Sequence, residues 1–292
     1  MRWNLALAGL AVTWGLISLI AADVELSSAV LVFDRVVLAA VVIGGGALAL
    51  GRGDLLRVRD QRGRVALSSC ALAVHWLTFF AAIRLSSIAV GNLTTYTAPI
   101  LLAVVAPFVL PERRSLVAAT AIVPAAAGLT LIALAGGGAH ATASGIAVGL
   151  LSACSLAAVI IFTKQLAGLH SVTLLFWSAV VIAVVMAPLL PFAGRILPRG
   201  REIAWVLVLG LLFTAGSGIL YYVLMRHVTA QAAGALMYLE PVSAAFLGWL
   251  VLDQGLDWHV LVGGVLVLCG GLLVVLFEPP DEASVSGLRG GG

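Results

Sequence analysis

Glu240, His75 and Ser217 are side chains of the kinds that carry protons or attack bonds, and each lies far from both ends of a long apolar run. Glu240 is the one carboxylate near the middle of such a run. If the run crosses a bilayer, an ionised group there costs at least ~3 kcal/mol unless it is paired or hydrated, which makes it a functional candidate by default. Two readings stand: a structural acid bonded to a neighbouring helix, or a group that couples protons or anchors a substrate ammonium. Glu240 follows Tyr238 by two residues, about 200° around a helix, so the two cannot both point straight into one narrow cavity. His75 either bonds a neighbouring helix or offers a titratable proton.

The polar and aromatic residues around these groups share a helical spacing. Asn92, Thr95, Tyr96 and Pro99 fall at i, i+3, i+4 and i+7, one face of a helix, and Gly234, Met237, Tyr238 and Pro241 repeat that spacing. Pro99 and Pro241 are predicted to kink their helices, each freeing the carbonyl four residues earlier, at Thr95 and Met237. Tyr96 and Tyr238 are too deep for an interfacial aromatic belt and are expected to face a cavity. Trp14, Phe79, Trp177 and Tyr221 complete the aromatic candidates: Phe79 one turn beyond His75, Trp177 toward the outer end of its run. Some of these rings are expected to serve packing alone.

The elements that position these residues follow from composition. Apolar residues make up 62% of the chain and charged ones 10%, with a mean hydropathy of +1.16. That leaves too little polar surface for a water-soluble domain. Ten runs are long enough to cross a bilayer as helix, at 4–22, 29–50, 65–84, 87–109, 116–135, 145–164, 172–192, 203–225, 231–252 and 258–277. None alternates with period two, which excludes a β-barrel. The expectation is an all-α integral membrane protein whose first run is an uncleaved span and whose tail, 278–292, is disordered. Eleven Lys or Arg fall on the side of the termini and five on the other, which predicts that both termini are cytoplasmic. Mid-span positions hold no Lys or Arg; Arg35 lies just within the second run. Basic residues are too dispersed for a nucleic-acid face. Cys70, Cys154 and Cys269 sit in apolar runs and read as inert packing residues, without disulfide or metal-ligand spacing, and no cofactor motif is present.

A shift of 142 residues lays the first five runs over the last five. From Arg84 to Leu134 no gap is needed, and Arg84 pairs with Arg226, Tyr96 with Tyr238, Pro99 with Pro241 and Gly128 with Gly270. It also sets His75 against Ser217 and Phe79 against Tyr221. Five is odd, so the copies, 4–135 and 145–277, must cross the membrane in opposite senses, an arrangement typical of secondary transporters built around a midplane site. Gly263, Gly264, Gly270 and Gly271, with Gly145 and Gly149, permit close helix approach either within a monomer or at a homodimer seam.

From Tyr222 to Leu276 the chain, with LEPVSAAFLGWLVLDQ and a Gly-rich last span, resembles the second EamA repeat of the drug/metabolite transporter superfamily. The first half resembles its partner repeat, with Trp14-Gly15 and APILLAVVAPFVLPERRS. The resemblance implies a ten-helix carrier whose central cavity is lined mainly by spans 1, 3, 4, 6, 8 and 9, and is strongest toward the bacterial amino-acid exporters, the aromatic amino acid exporter included. One departure is Gln254, where the family often has Glu; its counterpart Glu112 is kept.

These observations together point to export of small neutral or zwitterionic metabolites, amino acids including aromatic ones, by alternating access. The substrate-binding candidates are Trp14, His75, Phe79, Asn92, Tyr96, Trp177, Ser217, Tyr221 and Tyr238, with Glu240 for protons or an ammonium. A multidrug or quaternary-ammonium carrier of the same superfamily is the second reading. An intramembrane enzyme using His75 and Ser217 as base and nucleophile is the third; the chain is expected not to be an enzyme.

Overall fold

Inside hydrocarbon every backbone N–H and C=O must find a partner within the protein, so runs this apolar fold as helices. A computed structural model describes residues 1–58, 61–86, 88–112, 114–135, 142–252 and 258–279, and these are helical through the long runs, with no strand among them. Thirteen α-helices follow in order: α1 (Arg2–Ala22), α2 (Ser28–Ala49), α3 (Arg62–Leu85), α4 (Ile88–Thr95), α5 (Ala98–Val109), α6 (Leu116–Ala135), α7 (Ala143–Gln165), α8 (Ser171–Met186), α9 (Arg201–Gly210), α10 (Ser217–Leu224), α11 (Ala230–Met237), α12 (Leu239–Leu252) and α13 (Trp258–Phe277). A π-helical turn, Leu211–Gly216, joins α9 to α10. Three pairs are single spans in pieces: α4 with α5, α9 with α10, and α11 with α12. Ten helical segments result, and among the described residues seven are both long and apolar enough to cross a membrane.

The helix starts are written in the sequence. Ser27, Thr142 and Thr229 cap α2, α7 and α11, each accepting a bond from a backbone N–H three residues on. Large apolar side chains cover the outside, among them Phe108, Leu116 and Phe277, as a lipid-facing surface requires. Cys70, Cys154 and Cys269 are also exposed there. That corrects their reading as packing residues: hydropathy places a cysteine in a span but cannot say which way the helix is rotated.

Packing pairs the two halves across their length. α13 lies along α6, α7 along α3, α12 along α1 and α8 along α2. The glycines expected either in the monomer or at a seam lie inside the chain. A Cβ on Gly128 would stand 2.3 Å from the Gly263 carbonyl oxygen, and one on Gly270 would stand 2.6 Å from that of Ala121. Gly145 and Gly149 press in the same way on Ser86 and Thr94. The Asn4 side chain donates to the carbonyls of Val274 (3.2 Å) and Glu278 (3.0 Å), so the start of α1 and the end of α13 share one face, called here the terminal face. The tail expected to be disordered lies, from residue 280, outside the described residues, as does Gln254.

Candidate functional site

The fourth and ninth spans both break at the same register. α4 stops at Thr95 and α5 starts at Ala98; α11 stops at Met237 and α12 starts at Leu239. Tyr96 and Tyr238, 142 positions apart, occupy the two breaks. Pro99 lies in the first turn of α5 and Pro241 in that of α12, and the N–H each lacks is the one that would bond the carbonyl of Thr95 or Met237, the last residues of α4 and α11. The breaks therefore fall where the two prolines were expected to interrupt their spans.

The two tyrosines meet, with ring centroids 5.8 Å apart. The Tyr238 hydroxyl donates to the Tyr96 carbonyl at 2.7 Å, satisfying backbone that the break leaves without a helical partner. Both residues are buried, and the Tyr96 hydroxyl is turned toward Glu240. The Thr95 hydroxyl, on the expected polar face of α4, is buried with no hydrogen-bond partner among the described residues. Asn92 is half-buried, and its carbonyl accepts the Tyr96 N–H at 2.9 Å.

A second group gathers around the first and eighth spans. The Trp14 indole donates to Ser217 Oγ at 3.1 Å, and its ring lies 5.6 Å from that of Tyr221. Ser217 Oγ in turn donates to the Phe213 carbonyl at 2.8 Å. Gly15 brings α1 onto α12 at this level: a Cβ there would overlap Ser243 Oγ at 2.0 Å. The site thus needs glycine beside Trp14, and the Trp-Gly pair has a steric reason.

His75 is engaged elsewhere. Its Nδ1 lies 2.9 Å from Ser152 Oγ of α7, and Phe79 stacks on it with centroids 6.2 Å apart. His75 and Ser217, the conceivable base and nucleophile, are thus each bonded to other groups and do not form a catalytic pair. Trp177 is also apart from the cluster. Its indole donates at 2.8 Å to the Leu56 carbonyl in the loop between α2 and α3. That loop is on the terminal face, so Trp177 is near the terminal-face end of its span and not, as expected, near the end away from the termini.

The largest correction concerns charge. Arg35, in the second turn of α2, reaches inward: Nε donates to Thr214 Oγ1 of the π-helical turn at 2.8 Å, and the guanidinium lies 5.2 Å from the Trp76 ring centre. Glu240 is within its electrostatic reach. The interior therefore holds a fixed cation as well as an acid, contrary to the expectation of a nearly uncharged cavity. An arginine near a span end was assigned to the interface, but its long side chain can extend inward as readily as outward. Thr214 and the π-turn carried no signal in hydropathy; Trp76, beside His75, could have been flagged as one more aromatic in the third span.

Both ends of the bundle carry ion pairs. At the terminal face Lys164 Nζ lies 3.5 Å from Glu112, with side chains 4% and 2% exposed, and donates to the carbonyls of Met225 (3.1 Å) and Val228 (2.9 Å). The Ala230 N–H, at the start of α11, donates to both Glu112 oxygens at 3.0 and 2.9 Å. Glu278 joins Ser115 and Thr229 beside them. At the opposite face Arg195 pairs with Glu202, whose carboxylate holds the guanidinium above its ordinary pKa, and Arg201 lies 3.3 Å from Asp23.

Comparison with known proteins bears on this architecture. The sequence model of the EamA-like transporter family matches residues 143–276. An S-adenosylmethionine uptake transporter of Rickettsia felis is 33% identical over 44% of this chain and 44% of its own length, so the match spans less than half of that relative. An uncharacterized transporter of Bacillus subtilis is 22% identical over 94% of this chain and 89% of its own. A crystal structure superposes with a TM-score of 0.82 at 17% identity, covering 94% of this chain and 98% of that one, which is a likeness of fold.

Proposed function

We propose that the chain, whose residues 143–276 match the EamA-like transporter family, is a member of the drug/metabolite transporter superfamily and a secondary carrier of small zwitterionic metabolites, amino acids including aromatic ones foremost. The observation that carries this reading is the interior between the broken spans: an aromatic group of Trp14, Tyr221, Tyr96 and Tyr238, bordered by one acid, Glu240, and one cation, Arg35. Aromatic faces accept both apolar side chains and ammonium groups. An acid and a cation together suit a net-neutral ligand better than a polyanion. Alternating access by the two halves, with both termini cytoplasmic in a bacterial inner membrane and net export, completes the proposal.

A second reading comes from the Rickettsia relative, whose name describes S-adenosylmethionine uptake. That molecule joins an amino-acid head to a flat heteroaromatic base, so the same interior supports it. The test is purified protein in proteoliposomes, with labelled phenylalanine, leucine, S-adenosylmethionine and a quaternary ammonium, each with and without a pH gradient. Saturable movement of amino acids is the expected result. Movement of the quaternary ammonium alone would overturn the substrate class, and movement of S-adenosylmethionine alone would select the second reading.

A further inference from the structure

Arg35 and Glu240 attract each other across the interior without closing into a direct ion pair. Arg35 uses only its Nε in a hydrogen bond, to Thr214. Neither its two terminal nitrogens nor the Glu240 oxygens are among the buried atoms sealed off without a partner. The outer fork of the guanidinium is thus unspent among the described residues, and the Glu240 carboxylate, which takes the Tyr96 hydroxyl, stays apart from it. In a low-dielectric interior two such groups gain strongly by approach, so something in the fold holds them open. For Arg35 it is anchorage at Nε and the Trp76 ring, 5.2 Å from its central carbon. For Glu240 it is its position in the first turn of α12, behind the Tyr96–Tyr238 contact.

We infer that Arg35 and Glu240 are the two ends of a head-group clamp, Arg35 taking the carboxylate and Glu240 the ammonium of an α-amino acid unit. The parallel terminal N–H groups of a guanidinium match a carboxylate in two-point fashion, and fixing Nε to Thr214 leaves the outer fork free for that contact. The π-helical turn supplies the geometry. It carries Thr214, and three residues on Ser217 holds the Trp14 indole at 3.1 Å. The cation anchor and the Trp14–Tyr221 pair are therefore about one turn apart on a single span. Gly15, next to Trp14, presses on Ser243, whose hydroxyl donates to the Glu240 main-chain carbonyl at 2.8 Å, so α1 packs on the turn of α12 that carries the acid. A ligand bridging the charges would send its side chain toward those rings. Amino acids and S-adenosylmethionine carry the same α-amino carboxylate, so the clamp reads what they share and leaves the choice between them to the aromatic part. This inference rests on the carrier reading above.

The experiment compares four ligands on purified protein: phenylalanine, phenylalaninamide (no carboxylate), 3-phenylpropanoate (no ammonium) and phenethylamine (ammonium only), with binding read by displacement of labelled phenylalanine. Arg35→Gln should weaken phenylalanine about ten- to a hundredfold, the range of one lost charge-assisted contact, and leave phenylalaninamide and phenethylamine within about twofold. Glu240→Gln should weaken phenylalanine comparably and leave 3-phenylpropanoate unchanged. Arg35→Lys, which keeps the charge but not the fork, should fall between. Loss of all four ligands together in either variant, with the native fold retained, would make the pair structural and overturn the clamp. Unchanged selectivity in both variants would overturn it equally. If the unsubstituted protein binds no ligand carrying the α-amino carboxylate, S-adenosylmethionine included, the carrier's substrate class fails instead, which separates the two ideas.

Discussion

Lys164→Met isolates the buried pair at the terminal face. Glu112 and Lys164 are almost wholly enclosed, and each serves backbone as well as its partner. Replacing Lys164 by methionine keeps most of the side-chain volume but leaves an enclosed carboxylate without its cation and frees the Met225 and Val228 carbonyls. Breaking one side of a buried pair costs about 3–5 kcal/mol. Glu112→Gln is milder, because an amide oxygen still accepts from Ala230 and the lysine keeps its two carbonyls; about 1–3 kcal/mol is expected. The double variant removes both charges of the pair and should be more stable than Lys164→Met alone, so the two single costs are far from additive. The assay is reversible unfolding in mixed micelles at rising mole fraction of anionic detergent, followed by tryptophan fluorescence, on all four proteins. A double variant less stable than Lys164→Met, or a single-variant cost below about 1 kcal/mol, would refute the claim that the pair acts as a unit.

Two further outcomes can be read in the same micelles. Tyr238→Phe removes only the hydroxyl that serves the Tyr96 carbonyl at 2.7 Å, and should cost about 1–3 kcal/mol with the helix content unchanged by circular dichroism; a cost near zero would mean that the break needs no such bond. Gly128→Ala and Gly270→Ala each drive a methyl into facing backbone, at 2.3 and 2.6 Å, and should destabilise by about 1–3 kcal/mol. Gly9→Ala, which meets nothing within 4 Å, is the control and should be neutral or slightly stabilising in the same unfolding curve.

Hydropathy made the ten spans legible because the bilayer demands length and apolarity from each one separately. Register made the Tyr96–Tyr238 meeting legible, since two copies related by symmetry bring equivalent residues toward a common axis. Rotation and reach were not legible. Nothing in the apolar runs says that Cys70 and Cys154 face outward, that His75 is held by Ser152, or that Trp177 belongs to the loop after α2. The breaks at Tyr96 and Tyr238 fall just ahead of Pro99 and Pro241, where the missing N–H groups predict them. Arg35 was misread because position along a span locates the Cα, whereas chemistry is located by the end of a long side chain.

The two faces of the bundle are closed by contacts of different strength. At the terminal face the charges are enclosed and shared with backbone at α11, and separating them strands groups in a low-dielectric surround. At the opposite face Arg195 and Glu202 are 29% and 12% exposed, whereas Arg201 and Asp23 are 74% and 46% exposed and Glu25, which also reaches Arg195, is 92% exposed. Exposed pairs of this kind are worth about 0–1 kcal/mol each, because water replaces the lost contact. Lys164 has no cationic counterpart in the other half, since the residue 142 positions earlier is Ala22. The halves are therefore alike in backbone path and unlike in what fastens them. For the rocking carrier proposed above, Lys164–Glu112 and Arg195–Glu202 are the pairs that opening of the terminal face and of the opposite face would have to break.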